Sequence, residues 1–260
     1  MIKIEHVNFG WLHSPPYPPA CCHCFIVQDG DRYVLVDAGI GMADVADPIQ
    51  RIGEEAVTAA GFQFIKSVTA IAQLTERGVN PAAVTDIVLT HGDPDHVGGL
   101  ADFPNATIHV SSEELSNIHS ENPRYSLSQF SHKPKWKPFS ENDGDFFGLP
   151  SRGVKTSLAT EFRLVPLFGH TLGHCGVAVA NGEVWTFHVG DAYYLRAELT
   201  NSNHPVDELA SLRADDNELR RRSLGRIKAL VSRTDLPIVV CGYHDTTELP
   251  NTVPTFDQVR

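Results

Sequence analysis

The stretch Asp86-Ile87-Val88-Leu89-Thr90-His91-Gly92-Asp93-Pro94-Asp95-His96 decides the fold of this chain. An apolar run leads into six residues that carry four metal-capable side chains, and Gly98-Gly99 follows. The pattern predicts a buried strand that ends in a ligand-bearing loop, the kind of place where binding and catalytic groups concentrate. Imidazole and carboxylate groups together suit zinc, iron or manganese. We therefore expect a metalloenzyme.

Composition limits the domain count and the partners. The 260 residues are 42% hydrophobic and 20% charged, which is enough to bury a full core, and we expect one domain over residues 1–260. Acidic residues outnumber basic ones by 32 to 21, and the net charge of −11 disfavours nucleic acid as a partner. No basic leader and no run long enough to span a membrane is visible, so we expect a cytoplasmic protein. The sequence leaves the oligomeric state open.

The five cysteines do not indicate a disulfide framework, because their number is odd and Cys21, Cys22 and Cys24 are clustered. A structural zinc site would need a second pair of ligands across a loop, and no second pair of cysteines exists. Apolar residues continue the run after Cys24. The cluster therefore predicts a strand with small buried thiols.

Apolar periodicity and turn residues predict the other elements. Strands are predicted at 33–36, 107–110, 162–167, 176–180, 184–189 and 237–241. Helices are predicted at 65–77 and at about 217–232, and a further helix is expected to start near Ser111. Residues 42–62 show no clear pattern.

Residues 117–152 differ from the rest, because prolines and aromatic residues are interleaved along the whole segment. We predict a loop insertion here. One interpretation is an ordered loop over a functional site, and the other is a surface excursion that covers part of the core. In the first case an apolar pocket wall would be formed by Phe130, His132, Trp136 and Phe139.

Four separate strand ends present metal-capable side chains. They carry, in chain order, His91/Asp93/Asp95/His96, then His170, then Asp191, then His244. A single histidine after a strand is usually an ordinary polar residue. Four such sites, each following an apolar strand, are difficult to explain by coincidence and predict one metal centre.

The pattern resembles the metallo-β-lactamase superfamily along nearly the whole chain. The strand at 34–39 with Asp37 resembles an early element of that family, and His91–His96 occupies the place of its His-x-His-x-Asp-His signature. His170 in Gly-His-Thr-x-Gly-His, Asp191 after a glycine, and His244 resemble the remaining motifs. The resemblance implies an α+β fold, a four-layer αββα sandwich with the metal site at one edge of two mixed sheets.

The resemblance also implies a ligand set for two divalent metal ions. By position, His91, Asp93 and His170 would hold one ion, Asp95, His96 and His244 the other, and Asp191 would bridge them. Asp93 departs from the family pattern, which has histidine there. The harder carboxylate shifts preference towards iron or manganese, although zinc still accepts it. An alternative is that Asp93 does not bind metal and that one site fills.

Further roles are implied for residues beside the ligands. Asp37 and His174 are expected to orient ligands by hydrogen bonding, His188 to be structural, and His23 is a candidate pocket residue. Tyr194 resembles a tyrosine that stabilises the opening ring in lactonases of this superfamily. Tyr193 is the competing candidate for that role.

The resemblance implies a hydrolase that uses a metal-bound hydroxide to cleave a small ester, lactone or thioester. Asp95 would accept the proton of the water, and zinc is the first expectation for both ions. One alternative is a mononuclear or dinuclear iron redox enzyme, similar to sulfur dioxygenases. Another is a member of the fold that binds a ligand without turnover. Arg124 and Arg152 could grip a phosphate, but the sequence does not place either at the metals.

Overall fold

Two facing sheets form the centre of the fold in the computed structural model, which describes residues 2–249. The first sheet has the order β4-β1-β2-β3-β5-β6-β7. Its strands are β1 (Lys3–Leu12), β2 (Ala20–Asp29), β3 (Arg32–Val36), β4 (Phe62–Gln63), β5 (Val84–Val88), β6 (Thr107–Ser111) and β7 (Lys135–Phe139). The strands β3, β5, β6 and β7 are parallel to one another, and the remaining pairs are antiparallel.

The second sheet has the order β13-β12-β11-β10-β9-β8. Its strands are β8 (Gly144–Phe146), β9 (Leu149–Val154), β10 (Phe162–Pro166), β11 (Cys175–Asn181), β12 (Val184–His188) and β13 (Ile238–Cys241). The pair β12–β13 is parallel and the other pairs are antiparallel. As a result, β10, β12 and β13 run in the same direction, and their C-terminal ends lie on the same side of the sheet.

Short helices connect the strands. The α-helices are α1 (Met42–Ala46), α2 (Pro48–Arg51), α3 (Glu54–Ala60), α4 (Ala70–Glu76), α5 (Pro94–Val97), α6 (Ser112–Ile118), α7 (Val206–Leu212) and α8 (Asn217–Val231). Single 3-10 turns occupy Lys66–Val68, Pro81–Ala83, Gly98–Asp102, Leu127–Phe130, Arg196–Leu199 and Thr246–Glu248. None of the described helices is long and apolar enough to cross a membrane.

Three buried apolar clusters lie between the four layers of helices and sheets. One lies between the sheets, where Phe25 of β2 and Val177 of β11 belong to the same buried cluster. A second covers the outer face of the first sheet and includes Leu74 of α4. The third covers the outer face of the second sheet, where Leu224 and Ile227 of α8 are buried. Each such side chain contributes about 1.5–3 kcal/mol to stability. The predicted sandwich of two mixed sheets with helices outside is confirmed.

The predicted loop insertion at 117–152 is wrong for its second half. That half contains β7 at the edge of the first sheet and β8 and most of β9 at the edge of the second. Proline is tolerated on an edge strand, which explains how Pro138 can lie inside β7. The predicted helix at 65–77 is also too long, because α4 begins at Ala70. Met1 and residues 250–260, which the expected domain includes, lie outside the described residues.

Candidate metal centre

Four of the predicted ligands lie on one short segment after β5. His91 follows the strand closely, and Asp93 is the residue that precedes α5. Pro94 occupies the first position of α5, where a fixed φ suits a helix and no N–H donor is needed. The single turn of α5 then presents Asp95 and His96, and all four predicted ligands are buried.

The other three predicted ligands follow strands of the second sheet. His170 lies after β10, Asp191 after β12 and His244 after β13, so the common direction of these strands brings them to one edge. Gly190 makes the turn into Asp191 with a φ of 52°. A Cβ at that position would lie 2.5 Å from Nε2 of His174, so this turn requires glycine.

One group of side chains contains His91, His170 and Asp191, whose candidate ligand atoms lie within 4.8 Å of one another. Nε2 of His170 is 3.4 Å from Oδ2 of Asp191. Asp93 lies beside this group, since its Oδ2 is 3.4 Å from Nε2 of His91 and 3.1 Å from Nε2 of His170. These separations are those of atoms that can share one ion with bonds of about 2.0–2.2 Å.

The second group contains Asp95, His96 and His244. Oδ2 of Asp95 is 3.7 Å from Nε2 of His96 and 3.7 Å from Nε2 of His244. Asp191 contacts this group as well, with Oδ1 3.4 Å from His96 and Oδ2 3.1 Å from His244. The carboxylate of Asp191 therefore lies between the two groups, in the position predicted for a bridging ligand.

Buried atoms without partners test whether these residues fit metal ions. Nε2 of His91, Nε2 of His96, Oδ2 of Asp95 and Oδ1 of Asp191 have no hydrogen-bond partner within residues 2–249. Leaving such an atom unpaired costs about 1–3 kcal/mol. A divalent cation would satisfy all four atoms, and imidazole with carboxylate is a donor set for zinc, iron or manganese. The residues therefore fit the implied ions.

Asp37 and His174 contact the predicted ligands as expected. Nδ1 of His96 donates to Oδ2 of Asp37 over 2.8 Å. The lone pair on Nε2 is therefore available to bind an ion. Thr90 donates to the same carboxylate through its backbone N–H and its hydroxyl. Nε2 of His174 accepts the backbone N–H of Asp191 over 3.0 Å. These contacts fix ring orientation and backbone position.

His23 and His188 lie in the interior. Nε2 of His188 donates to the backbone oxygen of His23 over 2.6 Å, so His188 is structural. His23 and His6 share a 2.9 Å contact between their rings, with Cys241 close by. His23 does not line the cleft beside the metal centre, so the idea of a pocket residue is wrong. The thiol cluster of β2 is buried as predicted.

The two adjacent tyrosines have different surroundings. The ring of Tyr194 lies 5.3 Å from that of His244 and 5.9 Å from that of His170. Burial and then the charge of Asp191 raise the pKa of Tyr194, so the phenol keeps its proton near neutral pH. Tyr193 is packed into the cluster under α8, and its hydroxyl donates to Glu248. Tyr194, rather than Tyr193, faces the predicted ligands.

Arg124 lies at the centre, although the sequence did not place it there. Its Nε donates to Oδ1 of Asp93 over 2.5 Å and its Nη2 to Oδ2 over 2.8 Å. Burial alone would raise the pKa of Asp93, but the guanidinium of Arg124 and the neighbouring imidazoles hold it well below its usual range. Arg152 is elsewhere and pairs with Glu113.

Glu114 is a second residue that the sequence analysis missed. It is fully buried, and its carboxylate accepts from the backbone N–H of Gly92 over 2.7 Å and from the hydroxyl of Tyr125 over 2.8 Å. Thr171 donates to the other oxygen over 2.5 Å. Gly92 and Thr171 adjoin His91 and His170, so Glu114 links two ligand-bearing segments. An acidic residue three positions after Ser111 is typical of a helix cap. The sequence pattern therefore gave no reason to expect that Glu114 is buried and contacts two other segments.

A cleft of about 280 Å³ opens beside the predicted ligands. Asp93, Asp95, Asp191, His244 and Tyr194 are among the residues that line it. Most of the remaining lining is apolar and comes from Leu12, Tyr17, Pro18, Pro19, Ala20, Ala59, Ala60, Leu195, Val206, Leu209 and Leu212.

The predicted aromatic pocket wall is wrong, because none of its four members lines this cleft. Phe130 and Trp136 pack against the outer cluster of the first sheet, and Phe139 packs between the sheets. His132 contacts the backbone oxygen of Gln129. Trp136 and Phe139 were misread because they lie on β7, whereas Phe130 ends a 3-10 turn and His132 lies in the turn that follows it.

The profile of the metallo-beta-lactamase superfamily matches residues 19–242. A probable metallo-hydrolase of Mycobacterium bovis is 34% identical over 255 residues, which covers 94% of this chain and 80% of the relative. The chain therefore belongs to the metallo-β-lactamase superfamily, and it is a metal-dependent hydrolase.

Solved structures of low identity share the fold. One is a mutant of AiiA from B. thuringiensis with N-decanoyl-L-homoserine bound at its active site, with a TM-score of 0.71, 17% identity and 94% of each chain covered. Another is AidC, a dizinc quorum-quenching lactonase in complex with a product, with a TM-score of 0.59, 20% identity, and 88% of this chain and 74% of AidC covered. At these identities the likeness shows the fold alone.

Proposed function

We propose that this hydrolase cleaves a small ester, lactone or thioester that carries an apolar group. The observation that supports the proposal is the largely apolar cleft, whose lining includes Asp95, Asp191, His244 and Tyr194. Pockets of this kind bind small molecules through apolar walls and orient them through a few polar groups. The ligands bound to AiiA and AidC are likewise small and carry an acyl chain, as their names state.

We propose that the chain holds two divalent cations, zinc in the first instance, with iron or manganese as alternatives. His91, Asp93 and His170 would hold one, Asp95, His96 and His244 the other, and Asp191 would contact both. When bound, the cations supply a water acidified for nucleophilic attack and a Lewis acid for the carbonyl oxygen. The unpaired buried atoms of His91, His96, Asp95 and Asp191 support this assignment.

Asp95 is proposed as the proton acceptor. Its Oδ2 is buried and has no hydrogen-bond partner in the described part of the chain, and the carboxylate also reaches the cleft. A carboxylate in that position can accept the proton of the attacking water and pass it to the leaving oxygen or sulfur. Asp95 thus combines a binding role with proton transfer.

Tyr194 is proposed to donate a hydrogen bond to the substrate oxygen that gains negative charge. Its raised pKa keeps the phenol protonated, and its ring lies on the wall of the cleft between His170 and His244. A donor aimed at a developing oxyanion stabilises the transition state more than the ground state. The assignment predicts an effect on turnover that exceeds the effect on binding.

A substrate panel with two variants tests the proposal. Lactones, esters, thioesters and phosphoesters with alkyl groups of increasing length are offered to the zinc-loaded, manganese-loaded and iron-loaded protein. We expect hydrolysis of one carbonyl class, and kcat/KM that rises with alkyl length until the cleft is filled. Leu209→Ser should reduce that dependence, whereas Leu127→Ser, at an exposed position outside the cleft, should not. Absence of turnover with tight binding of one compound would instead indicate a ligand-binding protein.

One observation favours a second candidate, an iron redox enzyme. Asp93 provides a hard oxygen ligand where the superfamily signature has histidine, and such ligands suit iron. Protein purified without added metal would then be coloured and contain iron. Colourless protein with zinc or manganese would remove this candidate.

A further inference from the structure

Arg124 distinguishes the two proposed metal positions. Its Nη2 lies 2.7 Å from Nε2 of His170, in addition to its two contacts with Asp93. The remaining nitrogen of the guanidinium is also held in place, since Nη1 donates to the backbone oxygen of Arg213 and lies 3.5 Å from Oδ1 of Asp215. It is also largely buried. The guanidinium is therefore a fixed part of the centre.

The contact with His170 competes directly with metal binding. A neutral imidazole has one nitrogen lone pair, which can accept a hydrogen bond or bind a metal ion but cannot do both. Arginine keeps its proton in proteins, so the guanidinium cannot become an acceptor when an ion arrives. Each carboxylate oxygen of Asp93 has more than one lone pair, so it can contact the guanidinium and an ion at the same time. An ion at this position therefore depends on freeing the single lone pair of His170.

The other position has no such competitor. Nε2 of His96, Oδ2 of Asp95 and Oδ1 of Asp191 have no hydrogen-bond partner within residues 2–249. The contact of His244 at this position is with Oδ2 of Asp191, an acceptor that an ion can share. No Lys or Arg of the described residues forms an ion pair with Asp95 or Asp191.

We propose that Arg124 makes the two metal positions unequal. An ion binds tightly at Asp95, His96, His244 and Asp191, whereas an ion at His91, Asp93 and His170 must displace the guanidinium from His170. The inference rests on the ligand sets of the proposed function but not on its substrate. It assigns to Arg124 control over how many ions the chain holds.

Stepwise zinc titration against a chromophoric chelator tests the inference. Wild-type protein is expected to bind two equivalents, the second at least about 10-fold more weakly than the first, because a fixed cation opposes it. Arg124→Gln should raise the affinity of the second equivalent at least about 10-fold. Arg152→Gln is the matched control, since Arg152 is also buried and bidentate to a carboxylate but lies away from the ligands. It should leave both affinities unchanged.

Two ligand variants keep the inference testable if Arg124→Gln fails to fold. His244→Ala should lose the tight equivalent, whereas His170→Ala should keep it and lose the weak one. Two equivalents of equal affinity in the wild-type protein, or the opposite result with the two histidine variants, would overturn the inference while leaving the hydrolase proposal intact. Hydrolysis that fails on every substrate would overturn the proposed function without changing the titration.

Discussion

The hydroxyl of Thr171 donates a 2.5 Å hydrogen bond to Oε2 of Glu114, and this contact joins the segment that carries His170 to α6. The other oxygen of Glu114 accepts from Gly92, next to His91. Glu114 belongs to α6, which itself starts directly after β6. One buried carboxylate therefore fixes the distance between a loop of the first sheet and a loop of the second.

We expect Glu114→Ala to lower the free energy of unfolding by about 3 kcal/mol, because it leaves several buried donors without an acceptor at about 1–3 kcal/mol each. Urea denaturation at pH 7 measures the change. Glu55→Ala on α3 is the control, since Glu55 is exposed, and it should change stability by less than about 0.5 kcal/mol. Equal effects of the two substitutions would mean that Glu114 does not link the segments.

Glu114 also predicts a pH dependence of stability. Burial raises its pKa from 4.5 to about 7, against the hydrogen bonds from Thr171, Tyr125 and Gly92 that lower it. Between about pH 4.5 and about pH 7 the folded protein binds a proton that the unfolded chain has released. The contribution of Glu114 to stability therefore grows as the pH falls through this window and is lost as it rises, by at most about 3 kcal/mol.

Glu114→Gln isolates this contribution, because the amide is neutral at every pH and can donate to the Thr171 oxygen as a protonated acid would. Urea unfolding at pH 5 and pH 7.5 should show that wild-type protein gains stability relative to the variant at the lower pH. Parallel profiles would show that Glu114 does not bind a proton in the folded state within this window.

The ligand segments could be predicted because each is marked by the apolar strand immediately before it in the sequence. Each of His91, His170, Asp191 and His244 follows an apolar strand, and strands of one direction end at one edge. Glu114 also follows a strand, but its place three residues after Ser111 is that of an ordinary helix-cap residue. Arg124 follows no strand, and both residues act through contacts with distant segments. Arg124 and the neighbouring Pro123 lie in the segment 117–152, which was predicted as a loop insertion without a contact to the ligands.

The strands inside 117–152 were hidden by composition. Lys135-Trp136-Lys137 alternates between polar and apolar residues, which is the signature of a strand, but Pro134 and Pro138 flank it. The pairing of Trp136 with Ile108 of β6 supplies the missing information. Edge strands tolerate such residues because one side of the strand makes no ladder hydrogen bonds.

Tyr194→Phe is expected to lower kcat by about 100-fold, because it removes one hydrogen-bond donor from the transition state. KM and metal content should change little, since the ring and the walls of the cleft remain. Steady-state kinetics on the best substrate of the panel, with elemental mass spectrometry on the same samples, measures both. Tyr193→Phe is the matched control, because it removes a hydroxyl that contacts Glu248 and should leave kcat within about twofold of wild type. A larger kcat loss in the control would reverse the assignment.

Asp37→Asn tests how the orientation of His96 supports metal binding. Asp37 has a φ of 57°, a conformation that asparagine also tolerates, so the backbone should be kept. The carboxylate accepts from Nδ1 of His96, and loss of its charge makes Nε2 a poorer donor to the ion. Metal affinity should fall by about 10–100-fold.

Competition with a chromophoric chelator measures that fall, and Asp31→Asn on the exposed β2–β3 turn should leave the affinity unchanged. Because His96 belongs to the position without a competing guanidinium, we expect Asp37→Asn to weaken the tighter equivalent of zinc. An effect confined to the weaker equivalent would mean that His96 serves the other ion, and the division of ligands between the two positions would have to be redrawn.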